Sequence, residues 1–442
     1  MCAPVRLYRR RLGFAVSVLT LGAAVLASAP AAFAVSATSA PNSVHASRSS
    51  ASQPAASQFT ASPVPTITGT PQAGRRLTVS PGTWKPAPVA LSYRWKVSGV
   101  AVPGATASTF TPSNTQVGKR VTVTVTGTKT GYQTVSKTSA PTRPVAPATI
   151  AVGANPRELV VTADGRWAYV ANFGSGTVSV VSIATGKVVA TIPVGGSPIA
   201  LAVSTNQKQV FVSSCGDEKI YALNIASNTV AYSFPTGACG DLVATSDGKS
   251  LFISGSPSLF DITVATIATR SLAEPIFTGA PVGELTPSAD QTKVYLSNRD
   301  DYGVIIIDTA APQAPLGKFT TSHPPIASAP SPDGKTVYAS LGRDLFTGPS
   351  NAVEVIDIAT NRVRASIAIN APSSLVVSPD GSKLFVLSTE NNTIVTVSTT
   401  TNRVLSRIPV GLDPSSLVVT PDGSKVGITN SGENTVSVLP VF

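Results

Sequence analysis

Ala148-Thr149-Ile150-Ala151-Val152-Gly153 is spelled out almost unchanged as Ala190-Thr191-Ile192-Pro193-Val194-Gly195. The second copy ends a complete repeat unit, whereas the first stands with no unit before it. An apolar strand of this kind has to find a sheet elsewhere in the chain, because an unpaired strand edge invites the wrong partner. The spacing of the downstream residues says which sheet.

After Ala148 one pattern returns. An apolar strand leads through a turn, usually Asp-Gly, to a strand opening on Tyr or Phe. A polar loop, a Val/Ile strand, a Thr-Gly or Thr-Asn turn and a last strand follow. The turn markers Asp164, Asn206, Asp247, Asp290, Asp333, Asp380 and Asp422 are spaced by 42, 41, 43, 43, 47 and 42 residues. A period near 42 with four strands per unit is the signature of propeller blades. Seven markers predict seven blades. Asp-Gly supplies the positive φ of a tight hairpin turn, here joining the first and second strands of a blade. The seventh unit reads as strands over 415–420, 426–430 and 435–439 and stops one strand short. Residues 148–153 are the missing outer strand, so the first strand of the ring closes the last blade.

The repeat resembles the YVTN-repeat β-propellers. The tetrad stands as Tyr169-Val170-Ala171-Asn172 and Tyr295-Leu296-Ser297-Asn298, more loosely as Phe211-Val212-Ser213-Ser214 and Phe385-Val386-Leu387-Ser388. Blades three and seven depart furthest, with Phe252-Ile253-Ser254-Gly255 and Gly427-Ile428-Thr429-Asn430. The resemblance covers 148–442. It implies a seven-bladed ring of the kind found in surface and periplasmic proteins that share no reaction, and also in some sugar lactonases and cofactor-binding domains. It therefore speaks to fold, not chemistry.

Ahead of the ring, Arg6, Arg9, Arg10 and Arg11 precede an apolar run from Leu12 to Leu26 and the sequence Ala32-Phe33-Ala34. These features read as a signal peptide over 1–34, cut after Ala34, without the full twin-arginine pattern and with no Cys at the cut. The expected location is secreted or extracellular, with cell-wall association. No other apolar run is long enough to suggest a transmembrane segment. Residues 35–62 form a Ser/Ala/Pro tract expected to be a disordered linker. Short Val/Thr-rich runs separated by Gly and Pro over 63–147 predict a small β-sandwich. Pro81-Gly82-Thr83-Trp84, Tyr93-Arg94-Trp95, Gly104-Ala105-Thr106, Val117-Gly118 and Gly131-Tyr132 resemble the Ig-like domains of secreted actinobacterial proteins, over 63–145. The fold class is all-β, a seven-bladed propeller with an N-terminal Ig-like β-sandwich. Deleting 148–153 is expected to destabilise the ring, and deleting 35–147 to leave it folded.

Charge divides the chain unevenly. Residues 63–147 carry ten Lys and Arg and no carboxylate, while 148–442 carries eighteen basic residues and all 22 acidic ones. A basic module is joined to a mildly acidic one. Nucleic acid is disfavoured as a partner by sparse aromatics and by export. Anionic cell-wall polymers or surface glycans are the nearer partners, and a merely soluble, lysine-bearing surface is the alternative. An unknown protein or small-molecule ligand at the propeller face completes the expected partners.

In such a ring the blade-to-blade linkers and the loops between second and third strands share one face. Glu158, Asp241 and Glu284 recur two residues after the position at which most linkers carry a proline, and converge on the channel mouth. Arg157, Arg299, Asp300, Asp301, His323, Arg343, Asp344 and Glu390 lie on loops of the same face. Two readings stand: solvated loop charges paired with neighbouring arginines, or a ligand site in which carboxylates hold a divalent cation such as calcium. No cofactor is required by the first, and the second would allow lactonase-like hydrolysis. No phosphate loop, nucleophile elbow or zinc-ligand spacing is present, and no catalytic residue is singled out. Cys215 and Cys239 fall on this face in neighbouring blades and are expected to form a disulfide. The function expected is a secreted, cell-envelope-associated binding or scaffold protein. The alternative is an extracellular propeller hydrolase.

Overall fold

The computed structural model describes residues 56–255, 260–279, 281–312, 315–344 and 348–441. The signal peptide over 1–34 and residues 35–55 of the linker lie outside the described residues. The fold is all-β, with a single 3-10 turn at Asn114–Gln116 among the described residues.

Seven antiparallel sheets follow one another along the chain from Pro156 onward. The first is Pro156–Val161, Trp167–Asn172, Thr177–Ser182 and Lys187–Pro193, and the same order recurs through Pro414–Val419, Lys425–Asn430 and Thr435–Pro440. The first strand of each sheet packs beside the first strand of the next, and that of the seventh beside that of the first. The strands close a ring. Thr149–Ala151 supplies the fourth strand of the seventh sheet, with Thr149 opposite Ser437, Ile150 opposite Val436 and Ala151 opposite Thr435.

The alternation of each blade places one layer of side chains between every pair of sheets. The aromatic at the third position of the second strand is the large member of that layer. Tyr169 packs with Leu201 and Val212 of blade two, Phe211 with Leu242 of blade three, and Tyr338 with Leu375 and Val386 of blade six. Tyr169 also donates to Asn228 Oδ1 at 2.9 Å. Blade seven breaks the pattern for a steric reason. A Cβ on Gly427 would stand 2.8 Å from Leu159 of blade one, so Leu159 fills the space an aromatic takes elsewhere.

The turn markers act through hydrogen bonds. Asp290 accepts from the Ser288 hydroxyl and the Thr292 N–H, and Asp380 and Asp422 repeat the arrangement. These donors hold all three carboxyls down at about 2. Blade three differs from the others in its outer strand, which is broken into Ser271–Leu272 and Ile276–Phe277 around Pro275, a residue with no N–H for the ladder.

Two further sheets precede the ring: Thr66–Thr68, Leu77–Ser80 and Thr109–Phe110, then Val100–Ala101, Ala90–Val97, Val121–Thr128 and Val135–Thr138. Leu77, Val79, Trp95, Val121, Val123 and Val125 are buried between them, and Trp95 Nε1 donates to the Ala107 carbonyl at 2.9 Å. Residues 56–62 of the tract expected to be a disordered linker are docked on the sandwich. Ser57 bonds across to Gly131, Ala61 to Lys85, and Phe59 lies 5.5 Å from both the Trp84 and Tyr132 rings. One aromatic in a polar tract is enough to dock residues 56–62. The sandwich core runs on without a break into Phe385, Ile408 and Leu439 of blades six and seven.

Candidate functional site

The site is built where the chain enters each blade. Pro156, Pro198, Pro325, Pro372 and Pro414 open first strands, and Asn155, Ser197, Ala371 and Asp413 before them adopt φ of +51°, +59°, +40° and +51°. The strand then shifts register by one or two residues within its opening turn. Asn172 faces Pro156 but Ala171 faces Glu158, and Thr429 faces Ser416 where Asn430 faces Pro414. Such bulges redirect side chains, and here they turn them into the central channel.

A cavity of ≈ 290 Å³ at the channel mouth is lined by Arg157, Glu158, Asp241 and Glu284 together with Ile199, Ile326, Ser373, Ser374, Ser415 and Ser416. Sequence reasoning reached the three acids and Arg157. It missed Ile199, Ile326, Ser373 and Ser415, which directly follow the entry prolines, and Ser374 and Ser416 one position on.

The three carboxyls are in contact with solvent through the channel yet surrounded by protein. Burial is the main force on each. It pushes Asp241 up to about 6 against an N–H from Leu285 at 3.2 Å. Glu158 lies well above the usual carboxylate range through burial and the Asp241 charge, although the Leu201 N–H donates to Oε2 at 2.7 Å. Glu284 is raised by burial, by Asp241 and by Glu158. Glu158 therefore struts blade one to blade two, and Asp241 struts blade three to blade four. Arg157 turns outward, its guanidinium 5.3 Å from the Phe173 ring centre.

Asp301, Arg299, Asp300, Glu390 and His323 do not line this cavity. Asp301 pairs with Lys318 of its own blade's outer strand at 2.5 Å, on the outer side of the ring. Arg299, Asp300 and Glu390 are exposed, and Asn370 donates to Glu390. His323 meets the Ser322 hydroxyl at 3.1 Å. The backbone of Arg343 and Asp344 pairs with Gly348–Pro349, and the two side chains lie outside the described residues. Among the described residues no three His, Cys, Asp or Glu side chains are placed to hold a metal ion. Among the described residues the donor set does not fit the calcium site considered from the sequence.

Cys215 and Cys239 form a disulfide, Cα–Cα 4.9 Å, on this face. Cys215 follows strand Gln209–Ser214 and its N–H donates to Ser197, so the loop and the incoming linker of blade two are fastened together. The bridge adds the linker to blade three. No helix among the described residues is long and apolar enough to cross a membrane.

No protein-family model and no curated protein matches the sequence. Solved structures do match. A chain of Kuenenia stuttgartiensis hydrazine synthase superposes with a TM-score of 0.58 at 18% identity, over 65% of this chain and 96% of that one. At that identity the likeness shows the propeller fold and nothing of the chemistry.

Proposed function

We propose that the protein is exported after cleavage at Ala34 and serves as a cell-envelope-associated binding or scaffold protein. In this reading the ring belongs with the YVTN-repeat propellers and the sandwich with the bacterial Ig-like modules. The sandwich retains the protein on anionic wall polymers, and the propeller face presents the recognition surface.

The observation that carries the reading is the outer face of the larger sandwich sheet. Arg94 and Lys96 stand on it opposite Thr124 and Thr122, and Thr124 stands opposite Thr138. Thr124 and Thr138 share a hydrogen bond at 2.9 Å, and Thr126 and Ser136 one at 2.7 Å. This is a flat, cationic, hydroxyl-bearing surface in a module without a carboxylate, complementary to a polyol phosphate or an acidic glycan. Attraction between exposed charges is screened beyond about 8 Å at physiological salt, so retention should fall as salt rises. Passing the protein over immobilised teichoic acid tests this: salt-sensitive retention lost in Arg94→Ser/Lys96→Ser is expected. Retention that ignores both salt and the substitutions overturns it. The hydrolase reading is the less supported one: Glu158 and Asp241 each hold a backbone N–H group, and no metal-holding set is formed among the described residues.

A further inference from the structure

A larger cavity, ≈ 510 Å³, lies between the sandwich and blades six and seven, distinct in its lining from the channel mouth. Its apolar surface comes from Val117 of the sandwich and from Phe385, Ile394, Leu405, Ile408 and Leu439 of the ring. The gap cannot simply collapse. The turn carrying Val117 is fixed by bonds from Gly118 N to the Val145 carbonyl and from Val145 N to the Lys119 carbonyl, 2.8 and 2.9 Å. Gly118 approaches the ring closely: a Cβ there would stand 3.3 Å from Ile408.

Two cations complete the lining, Lys119 from the sandwich and Arg407 from strand Arg403–Pro409. Each donates only to a neutral carbonyl, Lys119 Nζ to Thr115 at 3.0 Å and Arg407 to Ala368 at 3.4 Å. Among the described residues neither forms an ion pair, and no carboxylate lines the cavity. Leu405 within it keeps 56% of its surface exposed. The volume is within the range of ligand pockets, roughly 300–1,000 Å³, which are apolar with a few oriented polar groups.

We infer that this cavity binds a small amphiphilic anion, a single fatty-acid chain, with its alkyl part against the apolar wall and its carboxylate at Lys119 and Arg407. A neutral lipid would leave both cations uncompensated, and a hydrophilic polyanion would leave the apolar wall wet. Burial of alkyl carbons supplies the affinity, about 0.8 kcal/mol per methylene. The charge-assisted contacts supply the preference for an acid over an alcohol.

Isothermal titration of the full chain with laurate, dodecanol and acetate tests the site. The expected result is one laurate per chain, dodecanol at least about tenfold weaker, and no binding of acetate. Lys119→Glu/Arg407→Glu should weaken laurate by about tenfold or more at an unchanged melting temperature, since both side chains are exposed. Leu405→Trp, which fills the cavity, should abolish binding. Absence of laurate binding to the native protein overturns the inference, as does equal affinity for laurate and dodecanol together with indifference to the charge reversal.

Discussion

At Asp241 burial works against the ionised carboxylate while the Leu285 N–H works for it, and burial prevails, lifting the group to about 6 from an ordinary 3.8. Between these values the folded chain keeps a proton that the unfolded chain has released. Stability from this group is therefore full below the ordinary range and declines as pH rises through about 6. Glu158 and Glu284 are shifted in the same direction. The hairpin aspartates act oppositely. Asp290, Asp380 and Asp422 sit at about 2, so their contribution is present above the ordinary carboxylate range and is lost as pH falls toward 2. Melting temperature is expected to be highest near pH 5. Asp241→Asn keeps an oxygen for the Leu285 N–H and removes the charge. It should stabilise the protein by roughly 1–2 kcal/mol at pH 8 and by little at pH 4. Scanning calorimetry at both values decides, and a gain of equal size at the two pH values would contradict the account.

Among the elements, the linker between blades two and three carries the one covalent fastening in the described ring, closing a separation of 24 residues from Cys215 to Cys239. A loop of that size contributes about 3 kcal/mol through restriction of the unfolded chain. Cys215→Ser/Cys239→Ser should lower the denaturant midpoint accordingly, and the chain beginning at Val35, which lacks Cys2, should show no titratable thiol when unfolded without reductant. An unchanged midpoint would mean that the bridge constrains nothing the fold does not already fix. Elements of this kind were legible in the sequence where one residue type has one local job. Asp-Gly marks five of the seven hairpins, an aromatic stands in six of the seven second strands, and both recur at a fixed period. The entry bulges were not legible, because they arise from a residue at positive φ before a proline, and Ser197 and Ala371 do not advertise that conformation as Asn155 does. Hence the acids were assigned to the channel while the isoleucine and serine beside them were overlooked. Asp301 was grouped with the site because the sequence shows that a loop shares a face, not which way its side chain leaves it; Lys318 draws it outward. Phe59 escaped notice because its partners, Trp84 and Tyr132, are brought together only by the sandwich.

For the whole molecule, the strand Thr149–Ala151 does two things at once. It completes the seventh sheet, with Val152 N bonded to the Asn434 carbonyl at 3.0 Å. It also follows directly on a sandwich whose Gln72 side chain donates to Pro147 and Thr149. The sandwich is packed against blades six and seven, so its removal is not neutral, contrary to what a tethered module would suggest. It uncovers Ile408 and Leu439, which are 9% and 2% exposed in the full chain. The two effects separate in a pair of truncations that differ by six residues. A chain beginning at Ala148 keeps the seventh sheet whole and loses the cover over Ile408. It should remain a cooperative, monomeric fold with a melting temperature lower by several degrees, the shift expected from about 1–2 kcal/mol in a ring of this size. A chain beginning at Ala154 also exposes the outer edge of Thr435–Pro440, a strand with no charged residue of its own. Such an edge pairs with other chains. That truncation should melt far lower and associate on concentration, as read by light scattering. Equal melting of the two would show that the six residues do not hold the ring shut.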